Sequence, residues 1–428
     1  MKVYLDTIGC RLNQSEIEMI ASQFRAAGHS ITSSPAGADL VVVNTCAVTA
    51  SAASDSRQKI RQASRAAAGS VIATGCWSTL EPQAALDLPG VIRVVMNAEK
   101  ERLVRDVLDL PEELYNCEPL VRQPLPGLHQ RTRAFIKVQD GCDNYCTFCI
   151  TRIARGASRS RPTAEVLRDI RAALDGGAQE IVLSGVQLGS WGHDFTQPRR
   201  LRHLVETILT ETPVPRLRLS SLEPWDLDED FFTLWQEARL CRHIHLPLQA
   251  GAEVTLRRMA RKTRPSAYAR LVELARRVSP DIAITTDILT GFPGESQSDF
   301  EEGLAYIESM QFAGGHVFPF SARPGTPASK YKDQVPVKMR KERSAILRAA
   351  LAVSAERYAR RFVDSELDVL WESADSLGPA GWRYHGLSDN YLRVHTEAQE
   401  QLWNQIRRVR LETWGQEGFS GNILPVLV

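Results

Sequence analysis

The 428-residue sequence carries almost no excess charge, since 52 basic and 51 acidic side chains leave a formal net charge of +1. That excludes a uniformly basic nucleic-acid coat but allows local basic patches. Long apolar runs are missing too: no stretch approaches the roughly 18 residues of a membrane helix. The start, MKVYLDTIGCRLNQSE, has no apolar export core. The expectation is a cytoplasmic protein with no membrane partner. Heptads and fixed-period repeats are absent. Cysteine is sparse, with eight in the chain, too few for a disulfide scaffold. In a reducing compartment such residues turn toward ligation or catalysis. A hydrophobic content of 43% with 24% charged residues is that of a globular protein, so disordered and fibrous classes are out. At ~150 residues per domain the length suggests about three domains.

Residues 1–108 alternate strand-like and helix-like pieces: KVYLDTIG, then NQSEIEMIASQFRAAG stopping at Gly28, then LVVVNTC, a Ser/Ala-rich helix over 50–68, SVIATGC and VIRVVMN. Continuous apolar strands separated by helices predict a doubly wound parallel α/β sheet covered on both faces. Cys10, Cys46 and Cys76 each follow such a strand, at the edge where these sheets bind ligands. The alternative is coincidence, because free Cys is common in buried strands. Residues 109–133 hold four prolines and read as a linker. Six strand candidates then recur over 134–335: FIKVQD, EIVLSG, RLRLSS, HIHLPL, AITTDILTG and GGHVFPFS. Helix-like segments lie between them, one with Thr163 as its expected N-cap. Six β-then-α units predict a partial parallel barrel with its reactive groups on loops after the strands. A basic helix over 336–363 follows, with eight Lys/Arg against two Glu at 338–361. Five short alternating stretches over 364–428, the last of them ILPVLV, predict a small antiparallel β-barrel.

The strongest local signal is Cys142-x3-Cys146-x2-Cys149, directly after the first barrel strand. Zinc modules bring paired CxxC elements, and no second pair lies nearby. Three thiolates on a [4Fe–4S] cluster leave one iron open, which a substrate or cofactor can occupy. An incidental cysteine cluster or a zinc knuckle is the competing interpretation. Cys117, in the linker, and Cys241 have no ligand-spaced partner and read as free thiols.

CDNYCTFC with its barrel resembles the radical S-adenosylmethionine superfamily. The resemblance implies that the open iron chelates S-adenosylmethionine and that one electron cleaves the sulfonium to a 5′-deoxyadenosyl radical. It also implies that Phe148 lies near the adenine and that SGVQ (Ser184, Gly185, Gln187) receives the methionine amino group. Glu223, Gln249 and Asp287 would rim the same mouth, although polar residues also cap strands for structural reasons. A second resemblance covers nearly the whole chain. TIGCRLNQSE, VVVNTCAVT, ATGC and VQDGCDNYCTFCITRIARGASRSRP are similar to the methylthiotransferase family. That family joins an α/β domain, a radical S-adenosylmethionine barrel and a small RNA-binding barrel called TRAM. It implies a second [4Fe–4S] cluster on Cys10, Cys46 and Cys76, tRNA as partner, an electron donor of the flavodoxin or ferredoxin type, and a sulfur donor the sequence does not name. An unactivated C–H bond gives acid–base catalysis no foothold, so cofactors must supply the hard chemistry. A cobalamin domain would be the competing sheet, but no D-x-H-x-x-G run occurs.

Family members modify an adenosine at position 37, just 3′ of a tRNA anticodon, or an aspartate of a ribosomal protein. CRLN after the first cysteine is nearest the CKxN of enzymes acting on N6-threonylcarbamoyladenosine; isopentenyladenosine enzymes usually read CQMN, and ribosomal-protein enzymes CPKN. Arg11 keeps the charge of that Lys with different hydrogen-bond geometry; a cation there would pair with a threonyl carboxylate, and the competing interpretation is a solvent-facing Arg. ITRIARG carries Arg152 where the family commonly has Pro, which changes the loop's stiffness. Basic runs hold Arg152, Arg155, Arg159 and Arg161; Arg257, Arg258, Arg261, Lys262 and Arg264; and Arg407, Arg408 and Arg410. Together with Trp382, Tyr384 and Tyr391 they point to RNA, while any single run is equally a solvated face and the aromatics equally barrel core. Arg11, Arg155, Arg159, Arg161, Arg407 and Arg408 are the candidate RNA or substrate contacts. A non-catalytic iron–sulfur RNA-binding protein is the more remote alternative.

Overall fold

The computed structural model describes residues 1–67, 69–111, 132–379 and 381–425. Most of the proline-rich 109–133 segment, with Cys117, lies outside the described residues.

The N-terminal apolar runs become β1 (Lys2–Thr7), β3 (Leu40–Thr45), β4 (Ser70–Gly75) and β5 (Val91–Val95). A short β2 (Ser30–Thr32), too polar to stand out in the sequence, adds an edge. All pair in parallel in the order β2-β1-β3-β4-β5. Every residue of β3 is buried, as its LVVVNT spelling demands. The helix Arg11–Ala26 buries Ile17, Ile20 and Phe24 against the sheet and is followed by Gly28 at φ +80°. Cys10 is the N-cap of that helix, Cys46 follows β3, and Cys76 opens the short helix Cys76–Leu80 after β4. The topology therefore sets three cysteines, far apart in sequence, side by side on adjacent strands. The β1/β3 boundary is where the strand order reverses, the crevice in which such sheets bind ligands.

The chain continues through β6 (Arg133–Lys137), a ribbon of β7 (Gln139–Asp140) and β8 (Arg159–Ser160), then β9 (Glu180–Ser184), β10 (Arg216–Leu219), β11 (His243–His245), β12 (Ala283–Thr290) and β13 (Gly314–Pro319). β6, β9 and β10 form one parallel sheet; β11, β12 and β13 form another. Parallel bridges Leu217–Leu240 and Ser221–His245 join the two into a six-stranded open barrel. Strand alternation explains its two faces. Ile181, Leu183, Leu217, Leu219 and Ile244 enter the apolar core. Their neighbours Glu180, Arg216, Arg218, His243, His245, Thr285 and Asp287 turn the other way and bond to one another. RLRL and HIHL thus encode a polar lumen instead of the packed interior of a closed barrel. One expected cap is corrected: Thr163 is the first helical residue of Thr163–Asp175, and Pro162 holds the N-cap without a side-chain bond. Proline's fixed φ suits that place.

The basic helix Val337–Arg360 braces both neighbours. Leu347 and Leu351 enter the six-stranded core, whereas Tyr358 and Ala359 enter the C-terminal one. There β14 (Glu366–Gly378), β15 (Gly381–Ser388), β16 (Arg393–Ala398), β17 (Ile406–Gly415) and β18 (Gly418–Ile423) close into a barrel in the order β14-β15-β16-β18-β17, consistent with a TRAM-like fold. Two expectations shift. The β16–β18 pairing is parallel, so the barrel is not wholly antiparallel. The last strand is GFSGNI, with only Ile423 of ILPVLV in it, and 426–428 lie outside the described residues. Among the described residues no helix is long and apolar enough to cross a membrane.

Candidate active site: two groups of thiols

The first group sits on the loop after β7. Gly141, at φ +68°, makes its sharp turn, and a Cβ there would meet the Ala157 carbonyl oxygen at 1.8 Å. The Cys142 amide donates to Gly156 O (3.1 Å), Thr147 N to Met259 O (3.0 Å) and Cys149 N to Cys146 O (3.1 Å), fixing the loop that carries all three thiols. Donors point at sulfur: Asn144 N lies 3.4 Å from Cys142 Sγ and Arg261 Nη1 3.8 Å from Cys146 Sγ. Arg261 is itself buried, paired with Glu223 (2.7 Å), bonded to Pro247 O and stacked on Trp225. Cys142 Sγ donates to Gln187 Oε1 at 3.2 Å; Gln187 in turn donates to Asp226, and its amide to Gln139 Oε1. Burial pushes the Cys142 thiol up to about 11, with Cys149 and Cys146 adding to the rise.

The second group is assembled by the sheet. Gly9 (φ +107°) and Gly75 (φ +98°) precede Cys10 and Cys76. A Cβ on Gly9 would lie 2.7 Å from the Cys46 side chain, and one on Gly75 would lie 2.3 Å from Thr45 O. Cys46 is anchored through its amide and carbonyl to Ser56 Oγ. Burial pushes its thiol up to about 11, and Cys10 and Cys76 contribute. Asn13 donates to Ile8 O and Thr45 O, tying the Cys10 turn to β3. Asn97 Nδ2 lies 3.7 Å from Cys76 Sγ and bonds Ala154 O.

Between the groups lies a buried ion network. Arg155 reaches Glu16 (2.8 Å), Asp140 (2.9 Å) and Asn13 (2.7 Å), while Lys100 reaches Glu16 (2.6 Å) and Asn44 (3.1 Å). Burial alone would raise the Glu16 carboxyl, but Lys100, Arg155 and Lys137 hold it well below its ordinary range. The expected RNA contact at Arg155 is therefore corrected: only 4% exposed, it joins the α/β sheet to the barrel and presents nothing to an RNA surface. Arg161 is likewise engaged, by Asp169, Glu165 and Lys137 O. Arg407 pairs with Glu400, and Arg408 with Asp368 and Glu366. Arg159 is exposed. Tyr384 is core and Trp382 exposed. Phe148 packs partly buried against the cluster holding Met259 and Phe292. Gln249, at φ +73°, donates its amide to Asp287 O, and Asp287 faces His245 at 3.3 Å. Ser184 is buried at the end of β9, and a Cβ on Gly185 would meet Gln139 Oε1 at 3.0 Å. The sequence reading missed Asp226 and Trp225, and placed Arg261 only in a basic run. The WD pair after SSLEP was the available signal.

The chain matches the Radical SAM superfamily over residues 136–307, and the family described as Uncharacterized protein family UPF0004 over residues 2–97. A radical S-adenosylmethionine methyltransferase, TsrM, from Kitasatospora setae, is similar in structure with a TM-score of 0.59 at 16% identity, covering 77% of each chain. Site and fold together define a radical S-adenosylmethionine enzyme. Among curated relatives, the Threonylcarbamoyladenosine tRNA methylthiotransferase of Bacillus subtilis is 33% identical, covering 99% of this chain and 97% of the relative. That of Thermotoga maritima is 36% identical over 97% and 95%. A tRNA-2-methylthio-N(6)-dimethylallyladenosine synthase of Cereibacter sphaeroides is 32% identical over 99% of both. The chain belongs to the radical S-adenosylmethionine tRNA methylthiotransferase family.

That family works with S-adenosylmethionine and two [4Fe–4S] clusters. The donor sets fit. Each offers three thiols that feel one another's charge, with N–H donors aimed at sulfur, the contacts that tune such clusters. Among the described residues no group of three or more His, Cys, Asp or Glu is arranged to hold a single metal ion.

Proposed function

We propose that this enzyme installs a methylthio group on C2 of N6-threonylcarbamoyladenosine at position 37 of tRNA. Cys142, Cys146 and Cys149 would hold the cluster that binds S-adenosylmethionine, and Cys10, Cys46 and Cys76 the cluster that carries sulfur. When bound, these groups supply the radical and the sulfur that side chains alone cannot provide. The protein's own residues do the rest. Gln187 and Asp226 order the rim beside Cys142, Arg261 braces Cys146, and the Glu16–Arg155–Asp140 network holds one thiol set against the other. A flavodoxin- or ferredoxin-type protein is the proposed electron donor.

The observation that carries the substrate reading is Arg11. Its guanidinium stands one residue after Cys10, donates to the Tyr391 hydroxyl, and among the described residues pairs with no carboxylate. A threonyl carboxylate would supply the missing counter-charge, and a fork-shaped guanidinium suits it. Relatives bearing the threonylcarbamoyladenosine name, at 33% and 36% identity, support the same reading. The relative named for dimethylallyladenosine, at 32%, favours the second reading, an apolar N6 substituent. Mass spectrometry of nucleosides from total tRNA, with and without this gene active, separates them. Loss of the 2-methylthio threonylcarbamoyl nucleoside, with its unthiolated precursor accumulating, is expected. Loss of the dimethylallyl product instead overturns the substrate assignment, and an unchanged tRNA profile leaves a ribosomal-protein aspartate as target.

A further inference from the structure

The loop between β15 and β16 does not face outward. Backbone carbonyls at its start, Leu387 and Ser388 at the end of β15 and Asp389 in the loop, accept hydrogen bonds from Arg216 and Arg218 of the six-stranded barrel. The Asp389 carboxylate is gripped by Arg242 at 2.6 and 3.0 Å. This clamp drives Tyr391 into the lumen. Its ring stacks on His243, with centroids 4.1 Å apart and an 11° interplanar angle, and Arg218 lies 5.2 Å from its centroid. Tyr391 also adopts φ +69°, a costly conformation for a bulky residue and one that persists only where surrounding contacts impose it. The hydroxyl so placed accepts a 2.7 Å hydrogen bond from Arg11 Nη2, bridging 380 residues of sequence.

The choice of partner matters. Arg218 meets Glu180, Arg242 meets Asp389 and Arg133 meets Glu372, so these neighbouring guanidinium groups are neutralised by carboxylates. Arg11 is held instead by a neutral hydroxyl, which fixes its direction and leaves its charge available. We propose that Tyr391 is a positioning residue for substrate selection: the C-terminal barrel aims Arg11 at an anionic group on the substituent of the target base. This rests on the reading of Arg11 given above.

The test uses the full-length enzyme and two anticodon stem-loop RNAs, one bearing threonylcarbamoyladenosine and one with the threonyl carboxylate converted to its primary amide. Tyr391→Phe keeps the stacked ring and removes only the acceptor. It should weaken equilibrium binding of the acid RNA by about three- to tenfold, the net worth of one ordinary hydrogen bond, and leave amide binding alone. In turnover of the acid RNA the loss should fall on KM and not on kcat. In Arg11→Ala the same tyrosine change should cost nothing further. Equal losses on both RNAs, or losses that multiply with Arg11→Ala, would overturn the proposal. If wild-type enzyme binds acid and amide alike, the Arg11 reading itself fails, and the tyrosine's role with it.

Discussion

One set of three thiols is written into eight consecutive residues, whereas the other is gathered from three strands. The loop set depends on one turn, pinned by Gly141 and four backbone bonds to its surroundings or within itself, counting Ala328 N to Thr147 O. The strand set depends on the register of a whole sheet and on two glycines whose Cβ positions are already filled. Local chemistry survives wherever its loop survives, but a topological site fails with its fold. The two should therefore break differently.

The largest effects come from the thiols. Cys146→Ala should abolish 5′-deoxyadenosine formation from S-adenosylmethionine, and with it all product. Cys46→Ala should still form 5′-deoxyadenosine while making no methylthiolated nucleoside, both read by mass spectrometry. Full product from the Cys46 variant would refute the division of labour. Next come the glycines. Gly9→Ala sets a methyl group against the Cys46 sulfur, so iron per chain should fall to half with the loop cluster's spectrum retained. Arg155→Met strips the closest cation from buried Asp140, leaving it the longer contact to Lys137 (3.6 Å), and leaves Glu16 only Lys100 as an ion-pair partner. A loss of about 3 kcal/mol in denaturant unfolding is expected.

The smallest effect is one of pH. Burial, with Arg218 and Arg11 facing it, holds the His243 imidazole well below its ordinary 6.5. The folded protein keeps His243 neutral while the unfolded chain takes up a proton. Its contribution is thus intact above 6.5 and declines as pH falls from there toward the folded value, by up to about 1.4 kcal/mol per unit. Urea titrations across that window should show the slope, and His243→Phe should flatten it.

Sequence spelling made much of this legible. LVVVNT and SVIATG have the continuous apolar character of doubly covered strands, and Cys142, Cys146 and Cys149 announce themselves by spacing alone. The strand thiols were readable because each ends an apolar run. Arg155 was misread, because TRIARGASRSR has the composition of a solvated basic surface. Nothing local says that Glu16, well over a hundred residues upstream, will bury opposite it. Tyr391 was legible only as an RNA-facing or core aromatic, for the same reason: its partners, His243 and Arg11, belong to two other parts of the chain.

The buried knot of Glu16, Arg155, Asp140 and Lys100 also acts as a gauge block. Parting the sheet from the barrel would strand charges in a dry interface, so the spacing between the two thiol sets is a fixed dimension of the enzyme. An active site that cannot close on its target must have the target brought to it. On the proposed function, the burden of movement then falls on the RNA, whose target base would have to leave its stack to come between the two thiol sets.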